Sequence, residues 1–399
     1  MPESDAARPV IRLRPNRGRR FFEGAPWLYD DEIVTDRRTK ALAPGTIATL
    51  ESAERAPLAT VTVNPGSTIM ARVLDADPEA EIGPDWLRRR LAAALAHRER
   101  LYPDPYYRLV HAEGDGLPGL VIDRFGAAAA VQPNAAWAEA MRGEICDALA
   151  AVAGVTTIVV NGAGRARALE GLEAEVFVER GDVAGPRPVP MNGAFYLADL
   201  LGGQKTGLFY DQRPNHAFVA ALSAGAEVLD VFSHVGGFAL ACLARGAATA
   251  LAVDSSAPAL ALAEQGAAAG GAADRFATRR GQAFDVMRAL RDEGRSYDVV
   301  ISDPPAFAPA KAALEKGLRA YETAAKLAAS LTRPGGYLCL CSCSHAATPD
   351  LFRSACVAGI RASGRTASLV HEGRAGPDHP AHFALPETSY LKALVFRLA

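Results

Sequence analysis

The chain has 399 residues, 49% of them hydrophobic and 22% charged, with a formal net charge of −2. Those values exclude a disordered or fibrous protein and a uniformly basic nucleic-acid coat, and they suit two or three globular domains. No apolar run approaches the roughly 18 residues of a membrane span, and the polar stretch Met1 to Pro9 lacks the pattern of a signal peptide, so a cytoplasmic protein without a membrane partner is expected. The cysteines, Cys146, Cys242, Cys339, Cys341, Cys343 and Cys356, form no CxxC pair, so they read as free thiols and no metal is expected.

Net charge hides distribution. RPVIRLRPNRGRR, Arg8 to Arg20, carries six arginines and no acid, and WLRRRLAAALAHRER adds Arg88, Arg89, Arg90, His97, Arg98 and Arg100. Each cluster reads either as a solvated face or as a phosphate-binding surface. In the same region EIV, GTIATL, LATVTV and IMARVL are short β-like segments between turns such as Ala43-Pro44-Gly45 and Asn64-Pro65-Gly66, which makes residues 1–83 an all-β module. A helix begins at Pro84-Asp85, with Asp85 expected to cap it and Trp86, Leu87, Leu91, Leu95 and Leu101 near helical spacing. Two β-like runs, RLVHAEGDGLPGLVIDRFG and AAAAVQP, precede a helix over about Ala136 to Val152 and the strand TTIVVNG. Residues 84–189 thus read as a linker helix with a small α+β domain, closed by the loop GDVAGPRPVPMNG.

Over residues 190–399 strands and helices alternate: AEVLDVF, FALACLARG, ATALAVD, APALALAEQGAAAG, YDVVISD, a helix through Ala312 to Ser330, GGYLCLCSCS, a helix from about Pro349 to Ser363, and the closing strand YLKALVFRLA. This is an α/β pattern that implies a mostly parallel sheet with helices on both faces.

In AEVLDVFSHVGGFALACLA a strand ends at Asp230, a glycine turn follows and a helix starts at Phe238. Glycines let the backbone approach a ligand, and the helix start offers free N–H groups. The candidate cofactor residues here are Asp230, Phe232, Ser233, Gly236, Gly237 and Phe238. Asp254, ending ATALAVD, stands where an acid binds ribose hydroxyls. NAD and S-adenosylmethionine both fit such a layout, but GxGxxG is missing, and Asp230 suits a cationic amino-acid end better than a pyrophosphate.

In YDVVISDPPAF a strand delivers Asp303, and two prolines fix the exit at the sheet's carboxyl edge. A carboxylate there can bond an amino group and a ring nitrogen of a base. In YLCLCSCSH, Leu338 and Leu340 alternate with Cys339, Cys341 and Cys343. Cys339 and Cys341 read as core, whereas Cys343 reaches the edge that carries Asp230 and Asp303. Carbon 5 of cytosine becomes nucleophilic once a thiolate adds to C6, so a thiol beside a methyl donor is chemically specific.

Taken together these motifs resemble the bacterial large-subunit (23S) rRNA methyltransferases that make 5-methylcytosine. The carriers are RFFEGAPWLYDDEIV, NPGSTIMARVLD, AEGDGLPGLVIDRFG, NGAFYLADLLGGQKTGLFYDQRPNH, DPPAF, SCS and DHPAHFALPETSYLKALVFRL. The resemblance implies a PUA domain, a central domain and a class I (Rossmann-like) methyltransferase domain, with S-adenosyl-L-methionine as cofactor. It implies 23S rRNA or a large ribosomal subunit precursor as partner, with a homodimer left open. It makes Cys343 the nucleophile and Asp303 the base-contacting acid. Gln204, Lys205, Thr206, Asp211, Gln212 and Arg213 are implied on the cofactor side, and Gln282, beside Ala283, stands where the family often has an acid near the adenine. Other departures are Ala25 in place of the histidine of His-Pro-Trp and His345 in place of a glycine. Rival readings are an exocyclic-amine methyltransferase, which needs no thiol, a noncatalytic RNA-binding protein that keeps the fold, and a nicotinamide dehydrogenase.

Overall fold

The structure, a computed structural model, describes residues 8–203 and 206–399. It divides into two compact units, one comprising the chain up to Ala184 together with Pro377–Thr388, the other Gly185–Gly376 with Ser389–Ala399.

The first unit holds two five-stranded sheets. One runs in the order Val10–Arg12, Thr46–Glu51, Pro57–Val63, Ala71–Asp75, Trp27–Leu28. Its core includes Ile11, Leu13, Leu28, Ile33, Leu50, Val61 and Met70. The strand at Val10–Arg12 lies inside the arginine-rich stretch, where Ile11 and Leu13 alternate inward between arginines and the charge obscures a period of two. Conversely, the expected strand at EIV is only a single bridge, Leu13 to Ile33.

The helix Pro84–Leu101 buries Trp86, Leu87, Leu91, Ala94 and Arg98. Its cap position is Gly83, not Asp85, whose carboxylate instead pairs with Arg88 in the first turn. The second sheet runs Val176–Arg180, Thr157–Asn161, Ala128–Pro133, Leu120–Phe125, Tyr106–His111. The expected helix over 136–152 is two, Ala136–Ala140 and Arg142–Ala153, broken at Met141. Segment Pro377–Thr388 joins this unit through buried charges. The Asp378 carboxylate accepts from the Arg108 N–H at 3.0 Å and bonds His379 Nδ1 at 2.9 Å, while the Arg98 guanidinium donates to the Asp378 carbonyl at 2.7 Å.

The second unit carries a hairpin, Arg187–Met191 with Ala194–Ala198, and a seven-stranded sheet. The sheet order is Phe276–Arg280, Thr249–Asp254, Glu227–Val231, Tyr297–Ser302, Thr332–Ser342, Lys392–Leu398, Ala367–Gly373. The first five strands are mutually parallel, and Lys392–Leu398 runs antiparallel to both neighbours. The chain thus winds outward in both directions from Glu227–Val231 and Tyr297–Ser302, and the crevice at the carboxyl ends of such a pair is where ligands bind in this fold. Asp230 and Asp303 come at or just after those ends, and Asp254 and Cys343 at or just after the carboxyl ends of the flanking strands Thr249–Asp254 and Thr332–Ser342. No helix among the described residues is long and apolar enough to cross a membrane.

Candidate active site

The loop after Glu227–Val231 is built for close approach. Phe232 (φ 64°) and His234 (φ 51°) adopt left-handed backbone rare for side-chain-bearing residues, as does Gly236 (φ 81°) at the start of helix Gly237–Ala244. A Cβ on Gly237 would come 2.8 Å from the buried His216 ring, so only glycine fits there. Asp230 is fully buried, and its Oδ2 accepts from the Ala239 N–H at 2.9 Å. Burial pushes its pKa up to about 7, against the pull of the Ala239 and Phe238 amides, with Asp254 adding a like charge. Asp254 accepts from the His234 N–H at 2.9 Å and the Ser256 N–H at 2.8 Å, which aims its carboxylate along the loop.

Phe232 packs edge-on to Phe284 and Phe307 at 6.3 and 6.2 Å. Gln282 is exposed and Ala283 buried at the start of helix Ala283–Asp292. From the preceding segment, Phe209 meets the His234 ring at 5.0 Å, Asp211 accepts from the Tyr390 hydroxyl at 2.6 Å, and Arg213 opens helix Arg213–Ala221. Gln204 and Lys205 lie outside the described residues.

Asp303 accepts from Gln212 Nε2 at 2.9 Å, and Gln212 Oε1 accepts in turn from Asn215 Nδ2 at 2.6 Å. The prolines behind Asp303 lead to Phe307 and Ala308, whose amides reach Tyr321 Oη at 3.4 Å and Ser344 Oγ at 2.9 Å.

Along Thr332–Ser342 the thiols separate by position. Cys339 and Cys341 are 1% exposed, on one face with their sulfurs 3.7 Å apart, whereas Cys343, just past the strand, is half-buried. Cys343 sits between two tethered serines. Ser342 Oγ lies 2.8 Å, and Ser344 Oγ 2.7 Å, from the same Tyr321 hydroxyl. Below the loop the Lys392 ammonium donates to the carbonyls of Ser344 at 2.7 Å and Ala347 at 2.9 Å. Burial lowers its pKa and the neighbouring Cys343 opposes that. His345 is exposed, its ring 5.7 Å from Tyr390.

Tyr321, Lys392 and Asn215 escaped sequence reading. Tyr321 falls on the apolar face of helix Leu314–Leu331, where an aromatic reads as core, and Lys392 carried only the signal of a charge opening a buried strand.

Several polar atoms at this sheet edge, Asp230 Oδ1, Ser233 Oγ and Ser302 Oγ, are buried without a hydrogen-bond partner among the described residues. Such atoms are costly unless a ligand completes them. A cationic amino group would complete Asp230, and ribose hydroxyls suit Asp254, so these residues fit S-adenosylmethionine.

Comparison with known proteins agrees. Residues 177–397 match a family model described as S-adenosylmethionine-dependent methyltransferase, and residues 11–76 one described as a PUA-like domain. The chain is 34% identical to the ribosomal RNA large subunit methyltransferase I of Shewanella amazonensis, over 97% of this chain and 99% of that protein. It is 33% identical to a ribosomal RNA large subunit methyltransferase of Deinococcus radiodurans, covering 100% and 99%. Among solved structures, the methyltransferase SMU.776, crystallised with SAH, superposes with a TM-score of 0.82 over 98% of this chain and 100% of that one, at 18% identity. The chain belongs to the family of S-adenosylmethionine-dependent methyltransferases that includes the ribosomal RNA large subunit methyltransferase I proteins.

Proposed function

We propose that the protein methylates carbon 5 of a cytosine in 23S rRNA, through a covalent bond between Cys343 Sγ and C6 of the base. One observation carries this reading: a half-buried thiol, held between Ser342 and Ser344, stands at the sheet edge that also presents Asp303. The relatives named for large-subunit rRNA methylation support RNA as the substrate.

S-adenosylmethionine supplies an electrophilic methyl group when bound. Asp230 would hold its amino group, Asp254 its ribose hydroxyls, and Gln282 with Ala283 would border the adenine. Phe232, Ser233, Gly236, Gly237 and Phe238 would form the loop around it, and Asp211 and Arg213 would approach it from the preceding segment. Cys343 attacks C6 as thiolate, and the electrons of the C5–C6 double bond move to C5 and into the ring. Asp303, oriented by Gln212, accepts from the N4 amino group and in its protonated form donates to N3, which offsets the negative charge that builds in the ring. C5 would take the methyl group as the donor's S–CH3 bond breaks and its sulfonium leaves as a neutral thioether; C5 then loses its proton to a base, the C5–C6 double bond re-forms, and Cys343 leaves as thiolate. Exposed arginines of the first unit hold RNA phosphates without reading sequence. Arg98 is outside that set, because it is fully buried on Asp115 and Asp378.

The test is trapping with 5-fluorocytosine-containing 23S rRNA and S-adenosylmethionine. Fluorine at C5 blocks proton loss, so the wild-type protein should run as a covalent RNA adduct, absent for Cys343→Ala, whose turnover should fall at least about a thousandfold. An adduct that survives Cys343→Ala overturns the nucleophile. Undiminished methylation by that variant points to an exocyclic amine instead.

A further inference from the structure

We propose that the first unit contains a stacking subsite for an unpaired RNA nucleotide, made jointly by the Arg19–Phe22 helix region and by His382 and Phe383 of the segment that returns from the second half of the chain. The inference rests on the reading of RNA as substrate and adds a place where a base other than the reacting one is held.

Phe22 and Phe383 are 64% and 83% exposed, unlike the buried aromatics that build the cores. The tip of the Phe383 ring abuts Gly24: a Cβ there would come 2.5 Å from its Cζ, and Gly24 has φ +93°, so this glycine serves both the turn and the ring. His382 stacks on Phe383 with ring centres 4.9 Å apart and planes at 23°, and Phe21 meets Phe22 edge-on at 5.3 Å. Beside them opens a cavity of about 320 Å³ lined by Phe21, Gly24, Pro26, Arg90, Glu113 and His382 among others. That is within the range of small-ligand pockets and large enough for a nucleoside.

Three exposed arginines stand beside the rings, each in a surface ion pair. Arg17, Arg19 and Arg20 have side chains 55%, 90% and 42% exposed, and their partners Asp31, Glu23 and Glu387 are also exposed. Such surface pairs are weak and readily exchanged for phosphate. Inside the cavity the carboxylates are already engaged. Glu113 accepts from Trp27 Nε1 at 2.9 Å and Arg72 at 3.3 Å, and Asp75 from Trp86 at 2.8 Å and Arg90 at 3.1 Å. Their remaining lone pairs can take base N–H groups. Exposed flat rings amid arginines are the combination by which single strands are bound, each base stacking on an aromatic face while cations follow the backbone. A duplex keeps its bases stacked internally and offers no face to Phe383.

The experiment uses the full-length protein without S-adenosylmethionine. Fluorescence anisotropy compares a labelled single-stranded RNA with the same strand annealed to its complement. Phe383 is so exposed that Phe383→Ala removes little buried surface. The variant should bind the single strand about 5- to 150-fold more weakly, with duplex affinity within twofold and an unchanged salt slope, since no cation is lost. Phe383→Trp should restore affinity, and Arg19→Ala should weaken both RNAs and flatten the salt slope. Single-strand affinity unchanged by Phe383→Ala, equal loss on both RNAs, or loss of self-association instead would each overturn the subsite. A wild-type protein that binds neither RNA would overturn the substrate reading itself, which separates the two failures.

Discussion

Two clusters of buried polar groups, one in each unit, are put together differently. Around Arg98 most partners are present, with His379 Nε2 the exception among the described residues. Its guanidinium is fully buried and takes both oxygens of Asp115, at 2.5 and 2.7 Å, while the Arg108 guanidinium takes both oxygens of Asp123, at 2.6 and 3.2 Å. His111, beside His379 with rings 4.9 Å apart, is pushed down to about 2 by burial and stays neutral. At the carboxyl edge of the large sheet, by contrast, Asp230, Ser233 and Ser302 each bury an oxygen without a partner among the described residues. Both clusters contain strongly perturbed groups. Incomplete hydrogen bonding, more than the pKa shift, distinguishes a ligand site from a structural lock.

Breaking the lock should give the largest effect. Asp115→Ala leaves Arg98 charged and buried without its main partner, and should cost about 3–5 kcal/mol of stability. Denaturant unfolding would measure it, and the molecules that remain folded should bind SAH as before. If SAH affinity fell with stability, the two clusters would not be independent.

Asp230→Asn should act in the opposite sense. The ionised carboxylate is what a cationic amino group needs, so the affinity for SAH by calorimetry should drop about 10- to 100-fold. The pH dependence follows from the raised pKa. In the ligand-free protein Asp230 titrates near 7 rather than at its ordinary 3.8, so the folded state holds the extra proton. That contribution to stability is present in full below the ordinary value and is lost as pH rises through about 7. Wild-type protein should therefore lose stability over this range while gaining affinity for SAH, and Asp230→Asn should flatten both trends. A steeper stability profile in the variant would contradict the role of burial.

The smallest change lies at the thiol. Tyr321→Phe removes one hydroxyl that holds Ser342, Ser344 and the Phe307 amide. It should lower kcat about tenfold, with KM for rRNA and the melting temperature little altered. Loss of stability with unchanged kcat would make Tyr321 part of the lock type rather than a positioning residue.

Local pattern makes much of this legible. Period-two alternation separates Cys339 and Cys341 from the loop residue Cys343, prolines stop the strand at Asp303, and glycines mark the turn after Asp230, because each depends on neighbours within a few residues. The segment at Asp85 shows the limit. An acid at a helix start looks like a cap, yet the backbone places Gly83 there and leaves Asp85 to Arg88.

The sequence by itself determined the strand–turn–helix order and the residues delivered to the strand ends, since backbone propensity and hydrophobic period act locally. Only the tertiary structure decided that Arg98 is a buried lock rather than a phosphate contact, and that Tyr321 ties both serines beside Cys343. It alone also showed that Phe383 returns to abut Gly24. Those contacts join residues far apart along the chain, and no periodicity encodes which distant partner a polar or aromatic side chain will meet.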